Sequence, residues 1–180
     1  MSSIDLAGFI TDVKGQAIHH GFHVHDERHF METYSLRQWW EVDLHPESGC
    51  GSPVELHLAL DVDPRVLLAF EDALTTAADS EAIPDEFFFP LTLTWTLPAP
   101  EIELLNLALD LAGLTGMSLP LEVAATDSYG SPAATPERVI SVTARRSVSL
   151  TKIIEGEETI VETLKRANDV SLFLLNLVEQ

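Results

Sequence analysis

Cations, cysteines and long apolar runs are all scarce in this 180-residue chain, and each scarcity excludes something. Ten Lys and Arg stand against 29 Asp and Glu, a formal charge of −19. Phosphate backbones and anionic lipid are held by clustered cations, so nucleic-acid and membrane-surface partners are not expected. Basic proteins, metal cations and neutral surfaces stay open. The one cysteine, Cys50, excludes an intramolecular disulfide and any cysteine-rich zinc motif, and it points to a cytoplasmic setting. No run reaches the ~18 uninterrupted apolar residues of a membrane span. The opening "MSSIDLAGFITDVKG" has neither the basic start nor the apolar centre of a signal peptide. Repeats with a period of roughly 20 to 50 residues are missing, which excludes solenoids and propellers. A G-x-S-x-G elbow, a phosphate loop and a Gly-rich dinucleotide fingerprint are missing too.

What is present is an ordinary apolar content of 46% with two kinds of periodicity. Length and composition fit one domain over residues 1–180. Ser2 or Ser3 can cap a first helix with Leu6, Ile10, Val13 and Ala17 on one face, stopping at Gly21 or drifting on to Val24. Two alternating strands follow. Leu36, Trp40, Val42 and Leu44 face one way in the first, and Leu56, Leu58, Leu60 and Val62 in the second, with the Gly- and Pro-rich "HPESGCGSP" as a long hairpin tip. Asp63 and Pro64 open a helix whose buried stripe is Leu67, Phe70 and Leu74. After the acidic "DSEAIPDE", Leu91, Leu93, Trp95 and Leu97 alternate with threonines, and Pro90 marks a strand start or an edge.

"PEIELLNLALDLAG" places Glu103, Asn106 and Asp110 at helical spacing, and we read a helix there over a strand from Leu105 to Leu111. "LPLEVAA" is a short strand and "TDSYGSPAATPE" a loop. A long strand then carries Ile140, Val142, Ala144, Val148 and Leu150 on one face. Arg146 falls on that apolar parity, which marks a bulge or a charge turned inward at an edge. A C-terminal helix closes the chain, packing on the sheet or across a dimer. The expected class is α+β: a mostly antiparallel sheet of about five to six strands with helices on one face, in the order α-β-β-α-β-α-β-β-α.

Histidine is the compositional oddity. Five of the seven lie in "HHGFHVHDERHF", between His19 and His29. At 100° per residue a single helix cannot bring all five to one ion. "HDERH" differs from the zinc-protease motif H-E-x-x-H in having Asp26, one methylene shorter than the glutamate that would serve as base. Read instead as a helix end followed by a short strand, His19 and His20 meet the last helical carbonyls, while His23 and His25 project together from the strand. Parity in the following hairpin puts His45 and His57 on one face with Glu41, Asp43 and Glu55. His23, His25, His45 and His57 are therefore the candidate ligands for zinc or another divalent transition metal. Cys50, at a Gly-flanked tip, is expected to be an exposed thiol with no histidine held beside it.

Two functions follow from different classes. In its order of elements and its acidity the chain loosely resembles the secretion-chaperone class of small α+β dimers, which implies self-association and a partner protein held without catalysis. On that reading Trp39, on the polar face of its strand, and Phe173 and Leu174, in the apolar second half of the last helix, are candidate partner-binding residues, and no cofactor is needed. The alternative is a metal-binding protein or metal-dependent hydrolase using the histidine-rich sheet face, with Glu41, Asp43 or Glu55 completing the shell.

Overall fold

The computed structural model describes residues 4–77, 83–130 and 135–179. One open sheet of six antiparallel strands carries five helices, an α+β fold. The chain runs α1 (Leu6–His19), β1 (Phe22–Met31), β2 (Gln38–Pro46), β3 (Glu55–Val62), α2 (Pro64–Thr76), β4 (Phe88–Pro98), α3 (Leu104–Thr115), β5 (Leu121–Ser128), β6 (Glu137–Ser149), α4 (Leu150–Glu155) and α5 (Val161–Val178). In space the strands lie in the order β1-β2-β3-β4-β6-β5, so β6 inserts between β4 and β5. The two edges are β1 and β5.

Two elements differ from expectation. The histidine segment after Gly21 is a ten-residue strand rather than a short one, and a short helix, α4, precedes the last. The first helix is capped by Asp5, whose carboxylate accepts the Gly8 N–H at 2.8 Å; Ser2 and Ser3 lie outside the described residues. Gly21 ends it with a φ of 86°, a left-handed turn that costs glycine nothing. Asp63 caps α2 as read, but only Phe70 of its expected stripe is fully buried, with Leu67 and Leu74 half-buried. The first half of the acidic 79–86 stretch and the centre of the 126–137 loop fall outside the described residues, while Thr126–Ser128 belong to β5.

The core is a single cluster between one sheet face and the helices. Leu44, Leu58, Leu93, Val142 and Ala144 from the strands meet Ile10, Phe70, Leu111, Leu164 and Val170 from the helices, all fully buried. Trp95 of β4 is buried there, and its indole N–H donates to Ser171 Oγ of α5 at 2.8 Å, leaving no orphaned donor. Pro90 sits just past the last β3–β4 pair, Leu60 with Leu91, where β4 pairs with β6 alone. A missing N–H on that side breaks no ladder.

Arg146 is neither at a bulge nor unpaired. The β4–β6 register runs through it without interruption, and its guanidinium meets Glu158 at 2.7 Å and the Thr159 carbonyl at 3.1 Å. The Glu158 carboxylate is almost fully buried and also accepts the Ser149 N–H at 2.9 Å. The charge turns inward to hold the turn between α4 and α5 against the sheet.

Candidate functional site

Because the buried apolar side chains of the strands point toward the helices, the opposite face of the sheet is polar and, among the described residues, uncovered. Its middle is made of Ala59, Thr92, Thr94, Ser141 and Thr143, all half-buried by their neighbours in a flat array. One end, built on β1, β2 and β3, carries nearly all the chemistry.

The register of β1 explains what it displays. His23 lies opposite His45 and Val24 opposite Leu44, but the next pair is Asp26 with Asp43. His25 is thus the extra residue of a β-bulge, and beyond it the side-chain parity of β1 reverses. The open face consequently receives His23, then Asp26, Arg28 and Phe30, while His29 turns to the other side and stacks on Trp40 with ring centroids 3.8 Å apart. Simple alternation from Phe22 onward would have put Arg28 and Phe30 on the core side. A single-residue bulge leaves no mark in composition or periodicity.

Arg28 is the centre of an ion-pair network. It reaches Asp26 at 2.7 Å, Glu41 at 3.1 Å and Asp43 at 2.7 Å, and these acids hold its charge above the ordinary arginine range against the opposing effect of burial. Asp43 also accepts from His57 Nδ1 at 2.7 Å. Burial pushes the Asp43 carboxyl up, but the hydrogen bonds from His57 and Arg28 outweigh it and leave it below the usual carboxylate range. Of the groups that parity placed on one face, Glu41, Asp43 and His57 are therefore occupied with one another and with Arg28, while His45 Nδ1 is buried without a partner.

The four candidate metal ligands share this face without converging. His57 is turned to Asp43; the rings of His25 and His45 are edge to face at 5.1 Å; His23 Nδ1 lies 3.1 Å from Cys50 Sγ. Among the described residues no group of three or more His, Cys, Asp or Glu is arranged to hold a metal ion. Cys50 is free and exposed, but the expectation that no histidine stands beside it is corrected by His23. The reason is Gly49. A Cβ there would lie 2.7 Å from Leu175 Cδ1 and 3.0 Å from Pro46 Cγ, so glycine lets the loop press onto α5, with Cys50 over the sheet, without displacing either side chain.

The β1–β2 hairpin ends in an exposed apolar tip. Phe30 and Trp39 are a cross-strand pair stacked at 5.4 Å, and beyond them Met31, Tyr34 and Leu36 stand in solvent, Tyr34 at 98% exposure. Leu36, expected on the buried parity of β2, lies before the strand and adopts a φ of 57°, left-handed backbone that a leucine occupies at a cost of order 1–3 kcal/mol. Its N–H bonds Glu32 O at 2.9 Å and Glu32 N–H bonds Arg37 O at 2.8 Å, which fixes the turn. Arg37 in turn pairs with Asp61 of β3. Of the expected partner-binding residues, Trp39 is at this tip, Phe173 is half-buried against the core, and Leu174 is wholly inside it.

No known family, curated protein or solved structure matches the chain. No helix among the described residues is long and apolar enough to cross a membrane.

Proposed function

We propose that the chain is a non-enzymatic protein-interaction module of the cytoplasm that associates with itself and holds a protein partner. The observation that carries it is the hairpin tip. Five apolar or aromatic residues, Phe30, Met31, Tyr34, Leu36 and Trp39, gather on one turn of a chain with 29 acidic residues. Aromatic side chains at the surface, here exposed Tyr34 and Phe30 with the half-buried Trp39 stacked on Phe30, are the usual anchors of a protein interface, and a turn held by its own hydrogen bonds presents them with little ordering left to do. Glu32 on the turn and the excess of acid over the whole chain favour a partner with basic residues at its rim. A free thiol as the sole cysteine supports the cytoplasmic setting, and the shortage of cations speaks against nucleic acid and membrane as the partner.

The test is to purify the chain from its native cells beside a Phe30→Ser/Trp39→Ser variant of unchanged circular dichroism. A protein companion at near-stoichiometric yield with the first and missing from the second is expected. Equal companions, or none with either, would refute the reading. The metal alternative rests on His23, His25 and His45 lying together, with His45 Nδ1 buried and without a partner. Elemental mass spectrometry of tag-free protein decides it. Near-stoichiometric zinc, lost in a His23→Ala/His25→Ala variant, would replace the interaction reading with a metal-binding one.

A further inference from the structure

We infer that the partner in self-association docks on β5: two copies pair this edge strand antiparallel about a twofold axis near Ala124 and Ala125, joining their sheets into one. The inference rests on the interaction reading above and names the surface that self-association would use. Four observations carry it.

β5 is bonded on one side only. It pairs with β6 along Leu121–Ser128, and no backbone hydrogen bond from another element reaches it among the described residues. An unpaired edge is a template for another strand unless something blunts it. Among the described residues nothing does: β5 has no proline, no lysine and no register shift over its eight residues.

Its acids are already matched. The chain carries −19 overall, so two copies repel each other over most of their surfaces. On β5 the two acids are Glu122 and Asp127, and each meets an arginine of β6: Arg145 at 3.0 Å and Arg138 at 2.7 Å. This edge is locally balanced, and an identical strand can approach it without that penalty.

Apolar surface adjoins it. Leu121, Val123 and Ala125 point to the core side yet remain only partly buried, because the sheet stops there. The helix packed chiefly on β5 is α3, whose Leu107 and Leu111 are buried beneath the sheet at this end. Main-chain bonds set the register of a strand pair, and the half-buried Leu121, Val123 and Ala125 add apolar area beneath it. A twofold axis also makes the surface self-complementary, so the assembly closes at two copies.

The experiment is sedimentation equilibrium of the full chain over a wide concentration range. The wild type is expected at twice the 19.8 kDa chain mass. Ala124→Glu/Thr126→Glu, at exposed positions, puts like charges face to face across the axis and is expected to weaken the dimer about tenfold or more. Tyr34→Ser, in the hairpin tip, is expected to leave it intact. Ala124→Cys in a Cys50→Ser background gives an independent readout, an intermolecular disulfide on mild oxidation. A dimer that survives Ala124→Glu/Thr126→Glu and does not cross-link through position 124 overturns β5 pairing while self-association stands. A chain that is monomeric throughout overturns both. Loss of the dimer in Tyr34→Ser moves the interface to the hairpin and overturns β5 pairing.

Discussion

The two edges of the sheet are built on opposite plans. β1 is interrupted at His25, where the bulge reverses its parity, and three charged residues follow at once: Asp26, Glu27 and Arg28. Glu27 is tied back to Lys14 of α1. A bulge and a run of charge are the usual means by which a strand refuses a neighbour, and β1 has both. β5 has neither. Its eight residues run unbroken, with its acids neutralised and half-buried apolar side chains on its core side. The difference teaches that the exposed backbone of the two strands serves different ends. β1 closes its main chain to pairing and offers side chains, ending in the aromatic tip. β5 keeps its side chains quiet and offers main chain.

The largest expected effect strikes the half of the sheet on which β5 rests. Arg146→Ala removes the cation facing the buried Glu158 carboxylate and should cost about 3 kcal/mol or more in urea unfolding. Arg146→Ala with Glu158→Gln in the same chain should recover part of that loss, because no buried charge is then left alone. At the β1 end, Gly49→Ala forces a methyl into Leu175 and Pro46 and should destabilise by about 1–3 kcal/mol, read as a lower midpoint of thermal or urea unfolding.

A smaller effect carries a pH signature. The Asp43 carboxyl is held below its unfolded value of about 3.9 by His57 and Arg28, against burial. Its contribution is therefore present above that value and lost as the pH falls through the lower, folded one. Asp43→Asn should cost about 0.5–1 kcal/mol at neutral pH, and the difference from wild type should shrink toward zero in acid. A difference that grows in acid would contradict the assignment. Least costly to stability, and most pointed for the comparison, is deletion of His25. The strand on either side already pairs as though that residue were absent, so folding should survive within a few tenths of a kcal/mol. What should appear is new association through β1, seen as species larger than the dimer in sedimentation velocity.

Much of this architecture was legible beforehand because burial writes itself as period. The strands of Leu56–Val62 and Leu91–Leu97, the Asp63–Pro64 helix start and the buried Trp95 all followed from alternation or capping. The helix of "ELLNLALDLAG" won over a strand by a narrow polar stripe, correctly. The candidate site was harder for physical reasons. Parity did place His45 and His57 on one face with Glu41 and Asp43. It failed past His25, since a bulge shifts register without altering composition, and so Arg28 and Phe30 were not anticipated on that face. Leu36 looked like a strand residue because an apolar side chain says nothing about a left-handed φ. Leu174 was a candidate for partner binding because helix periodicity alone does not tell whether the sheet or a second copy covers an apolar face, and it is the sheet side that buries it.

Hydrogen exchange of the two edge strands, followed as the protein concentration is raised, tests the contrast most directly. Outward-facing amides of β5 should slow as copies pair, while those of β1 around His25 keep a constant rate. Slowing confined to β1, or no concentration dependence at either edge, would contradict the account.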